Sequence, residues 1–156
     1  PEETAVQEHL AEAAHFLTTD GGLFDTEQLE DAMQTVMDTY AGGIGTNYRF
    51  HEKELDIADD KIARLTELSD RLHAADYQEL MYIYELRERL LVCRSVIAHL
   101  KARKETRWHS FAENLDYPEK DDAHWKKYVN SRMKNGKLEI VFRDLVEEGQ
   151  NYEHCH

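Results

Sequence analysis

DYQELMYIYELRERLLVCRSVIAHLKAR, residues 76–103, is the longest helical pattern in the chain, and the architecture of everything before it follows from how it must be covered. Asp76 followed by Glu79 has the form of a capping box that opens a helix. Ile83, Leu86, Leu90, Cys93, Ile97 and Leu100 then recur three and four residues apart for almost three heptads, which lays a single apolar stripe along one face. Just upstream, Leu55, Ala58, Ile62, Leu65, Ser69 and Leu72 repeat the same alternation, with Ser69 as its one polar member. Only His73, Ala74 and Ala75 lie between the two patterns. Two helices joined so closely must double back and pack antiparallel.

Toward the N-terminus the same periodicity predicts two shorter helices. Val6, Leu10, Ala13 and Leu17 form one stripe, which Gly21 and Gly22 end; Asp25 with Gln28 caps a second, carrying Leu29, Met33, Val36 and Tyr40. Gly42, Gly43 and Gly45 stop that second helix, since glycine permits the positive φ of a helix terminus or a close backbone approach. Their spacing is not that of a dinucleotide fingerprint and no strand pattern precedes them. The expected fold is mainly α. An antiparallel three- or four-helix bundle occupies residues 1–107, and an extended tail with a small β-hairpin, residues 108–156, packs on the bundle or on a partner.

The tail differs in kind from the bundle. From Arg103, Lys104 and Arg107 onward the helical period is lost, and Trp108, Phe111, Tyr117, Trp125 and Tyr128 alternate with Asp116, Asp121 and Asp122. Pro118 favours extended backbone before it. Asp121 or Asp122 is placed to cap a short helix through Trp125 and Tyr128. Asn135-Gly136, between Tyr128-Val129 and the run Leu138 to Phe142, is a type I′ hairpin signal. A bundle of this size has little surface to spare for so many rings. Some of Trp108, Phe111, Trp125 and Tyr128 are therefore expected to stand exposed, as an apolar patch rimmed by Arg103, Lys104 and Arg107.

Composition bounds the function. The 156 residues carry 41% hydrophobic and 33% charged residues, the profile of a water-soluble helical domain, and no apolar run approaches the ~20 residues of a membrane span. Cys93 and Cys155 are too few for a disulfide framework, which points to a reducing, cytoplasmic setting. The net charge of −13 is unevenly spread. Residues 1–48 hold ten carboxylates and no Lys or Arg, whereas residues 87–107 hold seven Lys or Arg against two Glu. That basic stretch suits an acidic or phosphate-bearing surface of another domain or subunit. A nucleic-acid role is disfavoured by the overall charge and by the absence of any recognised binding motif.

Candidates for chemistry are weak. None of the nine histidines falls into His-x-x-x-His or His-Glu-x-x-His spacing, and His154, Cys155 and His156 form a metal-capable cluster only at a chain end. Asp59-Asp60 lies on a wet helix face and Asp121-Asp122 has the position of a cap. Neither Gly-x-Gly-x-x-Gly nor Gly-x-Ser-x-Gly occurs, so the sequence supplies no catalytic, cofactor-binding or metal-binding residue of its own.

Residues 102–132 resemble the closing part of the flavoprotein subunits of the fumarate reductase, succinate dehydrogenase and adenylylsulfate reductase family. In that family a helix ends in Arg-x-Glu-Ser/Thr-Arg and an Asp-x-Pro-x-x-Asp-Asp-x-x-Trp motif follows; here these are Arg103, Glu105, Thr106 and Arg107, then Asp116, Pro118, Asp121, Asp122 and Trp125. Glu105-Thr106-Arg107-Trp108, the long gap to Tyr117-Pro118, and Val129-Asn130-Ser131-Arg132 lean toward the adenylylsulfate reductase alpha subunit. His109, Ser110 and Asn114 depart from it, where Pro-Gly and Arg are usual. The likeness extends upstream through Tyr40-Ala41-Gly42-Gly43 and Tyr84-Glu85-Leu86-Arg87 and covers roughly residues 28–145.

The resemblance implies a C-terminal structural domain of an FAD-dependent oxidoreductase subunit, with no cofactor in these residues and FAD held by an N-terminal domain of the same subunit. It further implies an iron-sulfur partner subunit, a dicarboxylate or adenylylsulfate as substrate, no direct membrane insertion, and a place in the cytoplasm or at a membrane surface through partner subunits. The residues expected at a domain or subunit interface are Arg103, Lys104, Arg107, Trp108, Asp116, Asp121, Trp125 and Arg132. Arg107 is foremost among them, because a guanidinium can hold a carboxylate bidentately across a contact; its alternatives are its own helix's terminal carbonyls or Asp116. A free-standing acidic helical interaction module explains the stripes and the charge equally well. It leaves the match from Arg103 to Arg132 unexplained.

Overall fold

Two long helices form the frame. In the computed structural model, which describes residues 2–146, helix α3 spans Glu52–Ser69 and α4 spans Tyr77–Ala102. They are antiparallel, as their stripes require, and Leu55, Ala58 and Ile62 are buried against Ile83, Leu86, Leu90 and Ile97. Ser69 lies fully buried in this stripe without cost, because its hydroxyl donates to Thr66 O at 2.6 Å and accepts from Arg87 Nη1 at 3.0 Å. The connection is longer than the expected three-residue turn. It occupies residues 70–76, and it uses Leu72 and Ala74 as core while the Ala74 N–H donates to Phe16 O at 2.9 Å. The Asp76 cap is also half of a box. Asp76 Oδ1 accepts from Glu79 N–H at 2.9 Å, but the Glu79 carboxylate turns to the Ala75 N–H at 2.7 Å.

Helix α2, Thr26–Tyr40, carries both halves of the Asp25–Gln28 box and buries Leu29, Met33 and Val36 against the hairpin. Helix α1, Glu2–Thr18, departs from its expected stripe. Val6 and Leu10 are 55% and 58% exposed, and Phe16 is its one buried residue. The reason is where α1 is held: only its second half meets α4, through Phe16 edge-on to Tyr84, Arg87 over the Phe16 ring, and a 3.5 Å contact between Arg87 and Glu12. His15 Nε2 closes this contact on Asp70 O at 2.7 Å.

Past Arg103 the chain leaves the helix in an extended conformation and crosses the end of the bundle. There it forms a parallel pair that periodicity does not reveal: β1, Arg49–Phe50, beside β2, Glu113–Asn114. A short helix α5, Asp122–Trp125, is capped by Asp121 and ends at Trp125, not at Tyr128. Tyr128 belongs to strand β3, Lys127–Lys134, which pairs antiparallel with β4, Lys137–Asp144. Asn135 and Gly136 close the ribbon with φ of 51° and 73°, the two positive values a type I′ turn demands. The ribbon lies on α4 through Ser131, whose Oγ is 3.1 Å from Ser95 Oγ, and through its half-buried Val129. The His154-Cys155-His156 cluster lies outside the described residues.

Cys93 is half-buried against the core, and burial pushes its thiol above the usual value of 9.0. It should behave as a small hydrophobe. In a Cys155→Ser background, maleimide labelling of the native chain at neutral pH is expected to be slow and to become rapid in denaturant. Fast native labelling, followed by mass spectrometry, would contradict this placement.

Candidate functional site

The end of α4 is organised around one buried carboxylate. Arg103, Glu105 and Arg107 follow one another at every second position on non-helical backbone that bends at Glu105 and Arg107, and both guanidinium groups fold back onto the acid between them. The Glu105 side chain is wholly buried. Its Oε1 accepts from Arg103 Nη1 at 2.6 Å and Arg107 Nε at 2.9 Å, and its Oε2 from Arg107 Nη2 at 3.1 Å and the Asp121 N–H at 2.8 Å. Arg103 reaches onward to Trp125 O at 2.8 Å and Lys127 O at 3.0 Å, with the Trp125 ring beneath it. Arg107 completes its set on Asp122 at 2.9 Å. Helix end, short helix and ribbon are thereby joined at one point.

A second polar layer orders the loop. Thr106 and Asn114 are buried; the Thr106 hydroxyl donates to Tyr117 O at 2.8 Å and accepts from the Asn114 N–H at 3.0 Å, while Asn114 Oδ1 accepts from the N–H groups of Asp116 and Tyr117. Asp116 then turns to α3, accepting from the Glu52 N–H at 2.7 Å at the helix N-terminus and meeting His51 Nδ1 at 2.9 Å. Lys104 joins it there, paired with Glu52 and placed over the Tyr117 ring.

Of the eight expected interface residues, four converge here: Arg103, Arg107 and the Asp121 N–H bond Glu105, and Trp125 lies beneath Arg103. Lys104 and Asp116 instead tie the loop to α3, and Arg132 sits in the ribbon, bonded to Glu139 at 2.7 Å. Arg107 takes a carboxylate bidentately, as its chemistry suggests, but the carboxylate is Glu105 of its own chain, and neither Asp116 nor its helix carbonyls. Glu105, Thr106 and Asn114 are the organising residues that sequence reasoning passed over. The one signal for them is a carboxylate framed by two arginines on non-helical backbone.

Trp108 remains outside this knot. It is 66% exposed and Phe111 is 72% exposed, with Tyr48 beside Phe111 at 6.4 Å between ring centroids. Tyr128 is exposed elsewhere, on the ribbon beside Asn130, and Trp125 is half-buried edge-on to Phe142, so the exposed rings at this end of the bundle are Trp108 and Phe111. A cleft of about 230 Å³ opens at Trp108, walled by Phe50, His99, Leu100, Arg103 and Arg107. The rim is formed by the two arginines; Lys104 is not among its lining residues. This surface is suited to docking. It holds no nucleophile beside a base, and among the described residues no group of three metal-ligating side chains occurs.

The Gly42–Gly45 turn does not fit the pyrophosphate of a dinucleotide. Asp38 fills it: its Oδ1 accepts from the Gly45 N–H at 2.8 Å, and a Cβ at Gly43 would lie 2.4 Å from Asp38 Cα. A carboxylate in that place repels an anion. No helix among the described residues is long and apolar enough to cross a membrane.

Comparison with known proteins agrees with this architecture. The family described as fumarate reductase flavoprotein C-terminal matches residues 30–153. The adenylylsulfate reductase alpha subunit of Megalodesulfovibrio gigas is 35% identical over 102 residues, which are 65% of this chain and 15% of that protein. The structure of adenylylsulfate reductase from Archaeoglobus fulgidus superimposes with a TM-score of 0.85 at 30% identity, over 97% of this chain and 26% of that one. An E. coli quinol fumarate reductase shares the fold, with a TM-score of 0.78 at 21% identity over 96% of this chain and 26% of that one. The chain thus spans about a quarter or less of the length of these relatives.

The knot has an acid signature. Burial alone would raise the Glu105 carboxyl, but hydrogen bonds from Arg107, the Asp121 N–H and Arg103 hold it below its usual 4.5. A carboxyl lowered on folding stabilises above its unfolded value, and that contribution is lost as pH falls through the folded one. Stability should therefore decline as pH drops below about 4.5. Glu105→Gln should flatten that limb. At neutral pH, Glu105→Ala should cost about 2–4 kcal/mol by removing the acceptor that two guanidinium groups and the Asp121 N–H share, measured by urea unfolding.

Proposed function

The chain belongs to the fumarate reductase flavoprotein C-terminal family, and from that membership we propose that it serves as the C-terminal structural domain of an FAD-dependent oxidoreductase subunit of the adenylylsulfate reductase type. It braces the flavin-binding domain of its own subunit and contributes to the contact with an iron-sulfur subunit through which electrons pass. The reaction and the FAD belong to residues outside this chain, whose own glycine turn is filled by Asp38. Adenylylsulfate is favoured over a dicarboxylate by relatives of 30% identity or more that are adenylylsulfate reductases.

The observation that carries the bracing role is the pairing of an exposed aromatic surface with a rigid support. Trp108 and Phe111 project from a loop that Glu105, Thr106 and Asn114 lock to the bundle. Rigid, exposed aromatics beside arginines have the composition of an interface centre. Arg103, Arg107 and Asp121 act in this reading by holding the platform, and Trp108 by making the contact. A free-standing interaction module would need the same platform but gives no reason for a family match over most of the chain.

Two measurements test this. Purified alone, the chain should show no flavin absorbance and no reductase activity; stoichiometric FAD copurifying with it would overturn the reading. Trp108→Ala should leave the isolated chain within ~0.5 kcal/mol of wild type, as an exposed substitution does. In the full-length subunit the same change should cost about 2–4 kcal/mol of domain or subunit association, the range of an interface anchor. Equal effects in both would remove Trp108 from any interface.

A further inference from the structure

Helix α1 starts toward the same end of the bundle as Trp108. Phe16 meets Tyr84 and Glu12 meets Arg87, so α1 runs antiparallel to α4, and its last turn is tied to the α3–α4 connection by the bond from the Ala74 N–H to Phe16 O. Equal lengths of helix, from Phe16 back to Glu2 and from Tyr84 on to Ala98, cover about 21 Å each at ~1.5 Å per residue. The start of α1 is thereby directed to where α4 stops and the tail emerges. Apolar surface is left uncovered on this path and at its end. Val6 and Leu10 are exposed on the half of α1 that runs this way, and Trp108 stands exposed at a cleft whose walls include Phe50, Leu100, Ala112 and Val129. His99 also lines the cleft. It is half-buried, and its ring has no hydrogen-bond partner among the described residues. At about 230 Å³ the cleft is smaller than the ~300–1,000 Å³ of a small-molecule pocket, so its size suits an inserted side chain.

We propose that the cleft at Trp108 is the seat of the flavin-binding domain of the same polypeptide: one apolar side chain of that domain lies against Trp108, Phe50 and Leu100, a polar group meets His99, and α1 is the tether that delivers both. This rests on the reading above, in which that domain precedes these residues in a subunit of which they form about a quarter. Connectivity and size select the occupant. The upstream domain joins through the start of α1, on the side where the cleft opens. A single anchor in so small a cleft falls far short of the ~1,200–2,000 Å² of buried surface that holds separate proteins together. A domain joined through α1 needs much less, because a short tether keeps it at an effective concentration of the order of mM. The exposed Val6 and Leu10, on the tether itself, agree with that placement. An iron-sulfur subunit or a second copy has no such tether. Nor do the neighbouring arginines offer a separate acidic protein a free charge, since Arg103 already donates to Glu105, Trp125 O and Lys127 O, and Arg107 to Glu105 and Asp122.

The test replaces Trp108 by a photoreactive benzoylphenylalanine in the full-length flavoprotein subunit, irradiates that subunit alone and with its iron-sulfur subunit, and maps the cross-links by mass spectrometry. Cross-links from position 108 to residues upstream of this chain are expected, at similar yield with and without the partner. A second measurement follows proteolytic cleavage between the two domains in the full-length subunit, which reports the population of the undocked form when docking is fast. Trp108→Ala should speed that cleavage about tenfold or more, the effect of losing an interface anchor, and His99→Ala should speed it less. Association with the iron-sulfur subunit should change by less than about twofold in either variant. Cross-linking only to the iron-sulfur subunit, or only between two copies, would overturn the assignment and leave the C-terminal structural role intact. Absence of any cross-link together with unchanged cleavage in Trp108→Ala would overturn it as well, by showing that Trp108 faces water. A full-length subunit that holds no FAD would instead remove the functional reading on which the assignment rests.

Discussion

One buried carboxylate holds the two halves of this chain together. Removing Glu105 from water is expensive, and only its four hydrogen bonds, three from guanidinium nitrogens and one from the Asp121 N–H, make the burial favourable. The same bonds decide where the tail goes. Arg103 cannot reach Glu105, Trp125 O and Lys127 O at once unless α5 and the start of β3 lie against the end of α4. The ribbon is thus placed by an ionic knot more than by apolar burial, in keeping with how little of it is buried. A two-stranded ribbon is marginal in water without such an anchor.

The bundle beneath is held by different means. Its α3–α4 hairpin has a regular seam that is apolar except at Ser69, and α2 adds Leu29, Met33 and Val36 to it. Helix α1 is fixed mainly at one end, where Arg87 gathers Glu12, Ser69, Asp70 and the face of Phe16. Its first half is exposed throughout. Both attached elements, α1 and the tail, therefore hang from arginines on or just after α4. Arginine suits this duty because its planar fork serves several acceptors while its flat face covers a ring.

The surface that results is divided by chemistry. The aromatic platform at Trp108 and Phe111 stands on the knot, and the acidic cleft lined by Glu27, Glu30, Glu79 and Glu85 lies between α2 and α4. Rigid support under exposed rings keeps the entropy cost of docking low. A relative's longer chain has the length to cover such surfaces.

The helical frame was legible because periodicity is a property of the chain itself: a stripe at three- and four-residue spacing has to be buried, and Leu55 to Ser69 and Ile83 to Ile97 are buried as the stripe requires. The Asp25–Gln28 box and the Asn135–Gly136 turn were legible for the same local reason, since each is settled within four residues. The motif from Arg103 to Trp125 gave the family, yet its residues' tasks stayed hidden. Whether Arg107 holds a partner's carboxylate or Glu105, whether Asn114 faces water or the core, and whether β1 meets β2 across more than sixty residues are decided by groups distant in sequence. Val6 and Leu10 show the same limit from the other side. A stripe says which face wants cover, and only the packing of other elements determines whether cover is there.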